Sequence, residues 1–153
     1  MKLLKSTTTR AVFAILVTAI CSACFTSVKT LDKDKEQAKA DRMVMRFHEL
    51  YNASRFEDIY NLLDDSVRPS VNKELFLASL EEAFAKFGKV LDSKLSEAKV
   101  FLGNPIQVRA IYNVNYEKGQ GQEWFISHIS GDEARLVHYT NAEGVDHPGQ
   151  KEK

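Results

Sequence analysis

One change in the spacing of apolar residues, at Gly88, constrains the fold of this 153-residue chain more than any other feature. Before Gly88 apolar side chains recur every three or four positions, whereas after it they alternate with polar ones. The first spacing is typical of amphipathic helices and the second of strands with one buried face. Because the helices all precede the strands, the sequence predicts an α+β domain.

Three helices are predicted before Gly88. The first covers 36–52, where the apolar residues form one helical stripe. The second begins at the capping-box sequence Ser-Arg-Phe-Glu of residues 54–57, in which the serine oxygen accepts a backbone N–H, and it ends near Leu63. The third follows the N-cap residue Asn72 and stops at Gly88.

Four strands are predicted after Gly88, over 90–102, 106–116, 122–130 and 134–140. The second strand has the cleanest alternation, and the turns between strands are short and contain glycine. Short turns join antiparallel neighbours, so the strands should form a curved four-stranded meander with the helices packed on one face.

The order of these elements over 38–141 resembles the cone-shaped fold of nuclear transport factor 2 and its cystatin-like relatives. It is similar in particular to small exported bacterial domains of unknown function built on that plan. The helix-capping run at 54–57 and the long strands that follow carry the resemblance. The resemblance implies three helices across a curved sheet with a pocket between the layers, but a fold alone implies no activity.

The first 24 residues have the pattern of an export signal, with basic residues, an apolar run over 11–20 and small residues before a cysteine. Ten helical residues cover about 15 Å, half of a ~30 Å hydrocarbon core, so this run is too short to span a membrane. The ending Ser22-Ala23-Cys24 resembles the lipobox of bacterial lipoproteins, with Cys21 in the place of the usual leucine. This resemblance implies that the signal is cleaved and that Cys24 carries a lipid.

The two cysteines of the chain, Cys21 and Cys24, both lie at the end of this signal. Cleavage before Cys24 would leave one thiol in an oxidising compartment, where it could pair with another molecule, and acylation removes that thiol. The alternative is ordinary signal cleavage after Ala23, which would release a soluble product with a free thiol. A redox or metal Cys-x-x-Cys pair is disfavoured because both residues belong to the signal.

These patterns predict where the domain lies in the chain and where the protein works. A residue other than aspartate after the lipid site, here Phe25, implies by resemblance to Gram-negative lipoprotein sorting the periplasmic face of the outer membrane of a bacterial cell envelope. The predicted parts are a signal peptide over 1–23, a lipidated N-terminus and tether over 24–35, the α+β domain over 36–141 and a disordered tail over 142–153.

Removal of the signal changes the charge of the chain. Lys2, Lys5 and Arg10 leave with it and no acidic residue does, so the formal net charge falls from 0 to −3. No basic stripe remains to neutralise phosphates, and nucleic acid is not an expected partner. The membrane, reached through lipidated Cys24, is expected instead.

A ligand pocket is a hypothesis for the space between helices and sheet. The apolar register of the second strand should turn Tyr112 and Tyr116 inward, and Trp124 and His128 of the third strand could join them. The alternative is that these aromatic residues only fill the core, with their polar groups at its rim.

Catalytic and metal chemistry find little support in the sequence. An isomerase of the ketosteroid type needs a carboxylate base in such a pocket, and the carboxylates considered for the role, Asp92, Glu97, Asp132 and Glu133, lie at strand ends, mid-strand or in a turn. Ser127 and His128 point to opposite sheet faces, which argues against a nucleophile and its base. The histidines lack metal-ligand spacing, so we expect no enzyme activity, no metal and no cofactor.

The third strand indicates a partner because it is apolar on both registers. Trp124 and Ile126 share one register and Phe125 and Ile129 the other, so helices on one face leave the second exposed. The sequence therefore predicts a non-enzymatic, lipid-anchored envelope protein that binds a protein partner, a second copy or a small ligand at the membrane surface. The alternatives are an immunity or inhibitor protein against a toxin or hydrolase, and a small-molecule-binding domain or cryptic isomerase.

Overall fold

The computed structural model describes residues 32–143, which form an α+β domain as predicted. The predicted signal peptide, the lipid site Cys24, most of the tether and the tail beyond residue 143 lie outside the described residues. In chain order the elements are α1 (Lys33–Asn52), α2 (Phe56–Tyr60), a 3₁₀ turn (Arg68–Ser70), α3 (Lys73–Phe87), β1 (Val90–Phe101), β2 (Ile106–Tyr116), β3 (Gly119–Ser130) and β4 (Glu133–Glu143).

The four strands form one antiparallel sheet in the order β1-β2-β3-β4, which confirms the predicted meander. Register shifts interrupt β1 between Val90 and Asp92 and between Leu95 and Glu97. A third shift lies between Ile126 and Ser127 in the pairing of β3 with β4. Such irregularities bend a strand and increase its local right-handed twist.

The first helix begins three residues earlier than predicted, at Lys33 instead of Glu36. Asp32 is its N-cap, and one carboxylate oxygen accepts the backbone N–H of Asp34 and of Lys35 at 3.1 and 3.3 Å. A side-chain acceptor at this position satisfies N–H groups that have no partner inside the helix. Residues 32–35 therefore belong to the folded domain and not to the tether.

The capping box predicted at Ser54 is wrong. Ser54 has a φ of 55°, the left-handed conformation, and α2 begins after Arg55 without a side-chain cap. The Ser54 and Arg55 N–H groups instead donate to carbonyls of Tyr51 and Leu50, which closes the end of α1. The helix that follows is a single turn and not a run to Leu63.

The predicted ends of the third helix are confirmed. The side-chain oxygen of Asn72 accepts the N–H of Leu75 at 2.9 Å, and Gly88 ends the helix with a φ of 75°. A Cβ at Gly88 would lie 2.6 Å from a carboxylate oxygen of Glu117, so both backbone conformation and space require glycine there.

The core lies between the helices and one face of the sheet, here called the inner face. Helix α1 contacts all four strands and places Phe47 against Phe125 of β3, with ring centroids 5.2 Å apart. After α2 the chain passes along the free edge of β4, where Leu136 exchanges backbone hydrogen bonds with Leu62 and Asp64. The largest fully buried apolar side chains are Tyr51, Phe47, Phe125, Leu50, Ile59, Leu63, Leu80, Leu136, Val44, Val108 and Val114.

Candidate functional site

The structure does not bring the four residues of the predicted pocket together. Tyr112 and Tyr116 are buried on the inner face, as predicted. Trp124 and His128 lie on the opposite face, here called the outer face, because β3 buries Glu123, Phe125, Ser127 and Ile129. Alternation along a strand sends neighbouring residues to opposite faces, so the four side chains do not line one pocket between helices and sheet.

The inner face carries a buried carboxylate, Glu123, that is not among the catalytic candidates considered from the sequence. Glu123 is 0 % exposed and stands directly opposite Tyr112 in the pairing of β2 with β3. Its register is a usable signal, since it shares the buried register with Phe125 two residues later. A charged residue in that register must find polar partners inside the core.

Glu123 has three hydrogen-bond partners, and together they form the cluster named here the Glu123 cluster. One oxygen accepts the hydroxyls of Tyr116 and Tyr139 at 2.8 and 3.2 Å. The other lies 2.6 Å from Nε2 of His48, on α1. An ionised carboxylate only accepts, so Nε2 carries the hydrogen and Nδ1 faces the Ser93 hydroxyl at 3.4 Å.

The Glu123 cluster also sets the ionisation of the tyrosines around it. Burial and the charge of Glu123 raise the pKa of Tyr116 and Tyr139, and the same two causes raise the pKa of Tyr51. The pKa of Tyr112 is raised by burial and by Asp41, to which its hydroxyl donates at 2.5 Å. Tyr116 and Tyr139 are therefore neutral donors to the Glu123 carboxylate, and Tyr112 is a neutral donor to Asp41. The buried Tyr51 hydroxyl has no hydrogen-bond partner within the described domain.

The Glu123 cluster is nearly closed to solvent. Two of its members reach the surface in part: the His48 side chain, 10 % exposed, and Tyr139, which is partly buried. The series of hydrogen bonds from Ser93 through the His48 imidazole to the Glu123 carboxylate could pass a proton. Both oxygens of Glu123 accept hydrogen bonds, and a satisfied buried polar network of this kind makes a core rigid.

The outer face carries an open groove of about 650 Å³, here called the outer groove. Its apolar floor is formed by Ile111, Trp124 and Ile126, which lie on the central strands β2 and β3. The other side chains that line it come mainly from β1 and β4 and are Glu97, Lys99, Phe101, Arg109, His138 and Thr140.

Positive charge predominates at the edge of the outer groove. The Arg109 guanidinium lies over the Phe101 ring, 4.7 Å from its centroid, and its Nε donates to Gln107 at 2.8 Å. Lys99 pairs with Glu97 at 2.7 Å, but both side chains are at least half exposed, so water and salt weaken this pair. Within residues 32–143 no carboxylate forms an ion pair with Arg109.

His128 lies outside the outer groove and links the sheet to the loop after α2. Its Nδ1 is 3.4 Å from a carboxylate oxygen of Asp64. Burial acts to raise the pKa of Asp64, but the hydrogen bonds from Ser66 and the imidazole of His128 outweigh it and lower that pKa. The loop itself is joined to the edge of the sheet by the backbone hydrogen bonds that Leu62 and Asp64 form with Leu136.

The described part of the chain contains no group of three or more histidine, cysteine or acidic side chains placed to bind a metal ion. None of its helices is long and apolar enough to cross a membrane.

Comparison with known proteins gives a distant structural likeness. No family model and no curated protein sequence matches the chain. Among solved structures the chain is similar to the protein described as "Structure of Bdellovibrio bacteriovorus Bd1075", with 16 % identity and a TM-score of 0.49. The match covers 74 % of this chain and 42 % of the Bdellovibrio chain, so this chain spans less than half the length of that protein. A likeness at this level assigns neither a fold family nor an activity.

Proposed function

We propose that this chain is a lipid-anchored protein of the bacterial cell envelope whose α+β domain binds a small ligand in the outer groove without catalysis. The observation that carries the proposal is the apolar floor of Ile111, Trp124 and Ile126 on the sheet face opposite the helices. A volume of about 650 Å³ with an apolar floor and a few polar groups is typical of small-molecule sites.

The anchor is supported by the N-terminal pattern. A lipid on Cys24 with several acyl chains would hold the domain at the membrane, because each buried CH₂ contributes about 0.8 kcal/mol. Phe25 favours the periplasmic face of the outer membrane. Residues 25–31 then leave a short tether before the Asp32 cap of α1.

The finer fold assignment also belongs to the proposal. Helix α1 lies across a twisted antiparallel meander, which is the arrangement expected of the nuclear transport factor 2 and cystatin-like plan. The aromatic residues and the Glu123 cluster fill the inner space of the described domain. This is why we place the ligand on the outer face and not between the layers.

The anchor is tested with the wild-type chain and a Cys24→Ser variant expressed in a Gram-negative host. We expect wild-type protein in the outer-membrane fraction, with a mass at its N-terminal peptide that corresponds to acylated cysteine, and the variant in the soluble periplasmic fraction. An intact leader, or an unmodified Cys24 thiol on soluble wild-type protein, would contradict the anchor.

The binding face is tested by what co-purifies with the chain from membranes. A Trp124→Ala variant should lose a bound small molecule that the wild type retains, whereas Leu75→Ala, an exposed leucine on α3, should retain it. A stoichiometric protein complex that needs Trp124 would instead favour the immunity or inhibitor function. Self-association that needs Trp124 would favour a homodimer.

A second candidate, acid–base catalysis in the Glu123 cluster, is favoured by the carboxylate surrounded by tyrosine hydroxyls. Steroid-type isomerisation needs a base and acidic donors of this kind. A ketosteroid with a β,γ double bond is the probe. Turnover by the wild type that Glu123→Gln abolishes and Trp124→Ala retains would select this candidate over ligand binding.

A further inference from the structure

We infer that the ligand of the outer groove is a single-chain anionic amphiphile, such as a fatty carboxylate or an alkyl phosphate. This inference rests on the proposed binding function and names the chemical class that the groove selects. A site for such a ligand needs an apolar floor, a cation at one end and a net charge that disfavours cationic ligands.

The floor provides the apolar part of the site. Trp124 pairs with Ile111 and Ile126 with Arg109 across the β2–β3 ladder, so the apolar strip and the cation are neighbours in the sheet. Trp124, Ile126 and Ile111 are only partly buried in the free domain. An alkyl chain laid along the strip would remove this surface from water at about 25 cal/mol per Å².

Arg109 provides the anion-binding end. The hydrogen bond from Nε to Gln107 and the position over the Phe101 ring place the guanidinium of this exposed side chain beside the groove. A guanidinium can bind a carboxylate or phosphate with two parallel hydrogen bonds. The ion pairs of the described domain do not include Arg109, so a ligand would not have to displace an acidic partner.

The charge balance determines the sign of the head group. Lys99 and Arg109 are two permanent cations among the lining residues, against the single carboxylate of Glu97. Glu97 is already paired with Lys99. A cationic head group would therefore meet Arg109 unscreened, whereas an anionic one would be attracted to it.

The experiment uses Trp124 as its reporter, because it is the only tryptophan of the chain and lies on the groove floor. The exported chain with Cys24→Ser avoids detergent, and it is titrated below the micelle concentration with dodecyl phosphate, dodecyltrimethylammonium or inorganic phosphate. We expect saturable, one-to-one quenching or a blue shift with dodecyl phosphate. We expect no change with inorganic phosphate and at least tenfold weaker binding of the cation.

Arg109→Gln should weaken dodecyl phosphate binding by about tenfold or more, because it removes a charge-assisted hydrogen bond. The matched control is Arg135→Gln, an exposed arginine of β4 that does not line the groove, and it should bind like the parent. Equal binding of the anion and the cation, or an unchanged affinity of Arg109→Gln, would overturn the inference. So would a response only to phosphatidylglycerol vesicles, which would make a bilayer surface the partner.

Failure of this inference and failure of the proposed function give different results. If dodecyl phosphate does not bind but a molecule retained from membranes still requires Trp124, the binding function stands and the anionic class is wrong. If neither the amphiphile nor a membrane extract affects Trp124, both are wrong.

Discussion

Glu123 shows how a single residue can connect the two layers of this domain. It is fully buried on β3, and its hydrogen bonds reach β2, β4 and α1 through Tyr116, Tyr139 and His48. A buried charge with several partners resists any change that removes an acceptor. We therefore expect the stability of the domain to depend on the carboxylate more than on its neighbours in the core.

Replacement of Glu123 by glutamine tests this dependence. The amide offers one acceptor oxygen and an NH₂ group where the native site needs two acceptors, so one buried donor loses its partner. The free energy of unfolding in urea should fall by about 2–4 kcal/mol. Glu81→Gln, at an exposed position of α3, should change it by less than about 0.5 kcal/mol. A Glu123→Gln domain as stable as the wild type would show that the cluster contributes nothing net.

The buried tyrosines give the domain a defined response to high pH. Folded tyrosines with raised pKa values stay protonated where the unfolded chain begins to ionise, near its ordinary pKa of 10.0. Their contribution to the free energy of unfolding is complete below pH 10. It is lost as the pH rises above this value, because ionisation of the tyrosines then favours the unfolded chain. Tyrosinate absorbance and far-ultraviolet circular dichroism should change together above pH 10. Ionisation of the four tyrosines with raised pKa values near pH 10 while the fold stays intact would contradict this; they are Tyr51, Tyr112, Tyr116 and Tyr139.

At the scale of elements, the sequence predicted the order of helices and strands and both ends of α3. Asn72 and Gly88 delimit α3 as predicted, because a cap and a glycine stop act within one turn. Glu123 lies in the predicted strand 122–130 and could have been found there, because it shares a register with Phe125. The sequence did not reveal the bulges of β1, which explain why its alternation is incomplete, because they depend on pairing with β2. It also did not reveal that Trp124 and Tyr112 lie on opposite faces of the sheet. That follows only when the register between β2 and β3 is known, because Tyr112 pairs with Glu123 and not with Trp124.

Substitutions at Ser54 distinguish the predicted helix cap from the observed left-handed turn at the end of α1. Since Ser54 has a φ of 55° and caps nothing, Ser54→Gly should stabilise the domain by about 0.5–1 kcal/mol by relieving left-handed strain. Ser54→Ala, which removes the same hydroxyl without adding conformational freedom, should not stabilise it. Urea unfolding of both variants provides the measurement. A loss of stability in Ser54→Gly similar to that in Ser54→Ala would support a side-chain cap.

The whole molecule assigns different roles to its two sheet faces. The inner face packs on α1 and encloses the Glu123 cluster, while the outer face carries an apolar floor beside Arg109. A domain held at a membrane by Cys24 would meet lipidic anions at high local concentration, which fits a groove with a cationic end. The anchor and the groove would then be parts of one function.

The most direct test is native mass spectrometry of the wild-type chain released from the membranes of its own host. The account predicts an acylated Cys24 and one additional anionic amphiphile per chain, absent when Arg109 is replaced by glutamine and present when Arg135 is. A chain that leaves the membrane with nothing bound, or whose bound molecule is indifferent to Arg109, would contradict it.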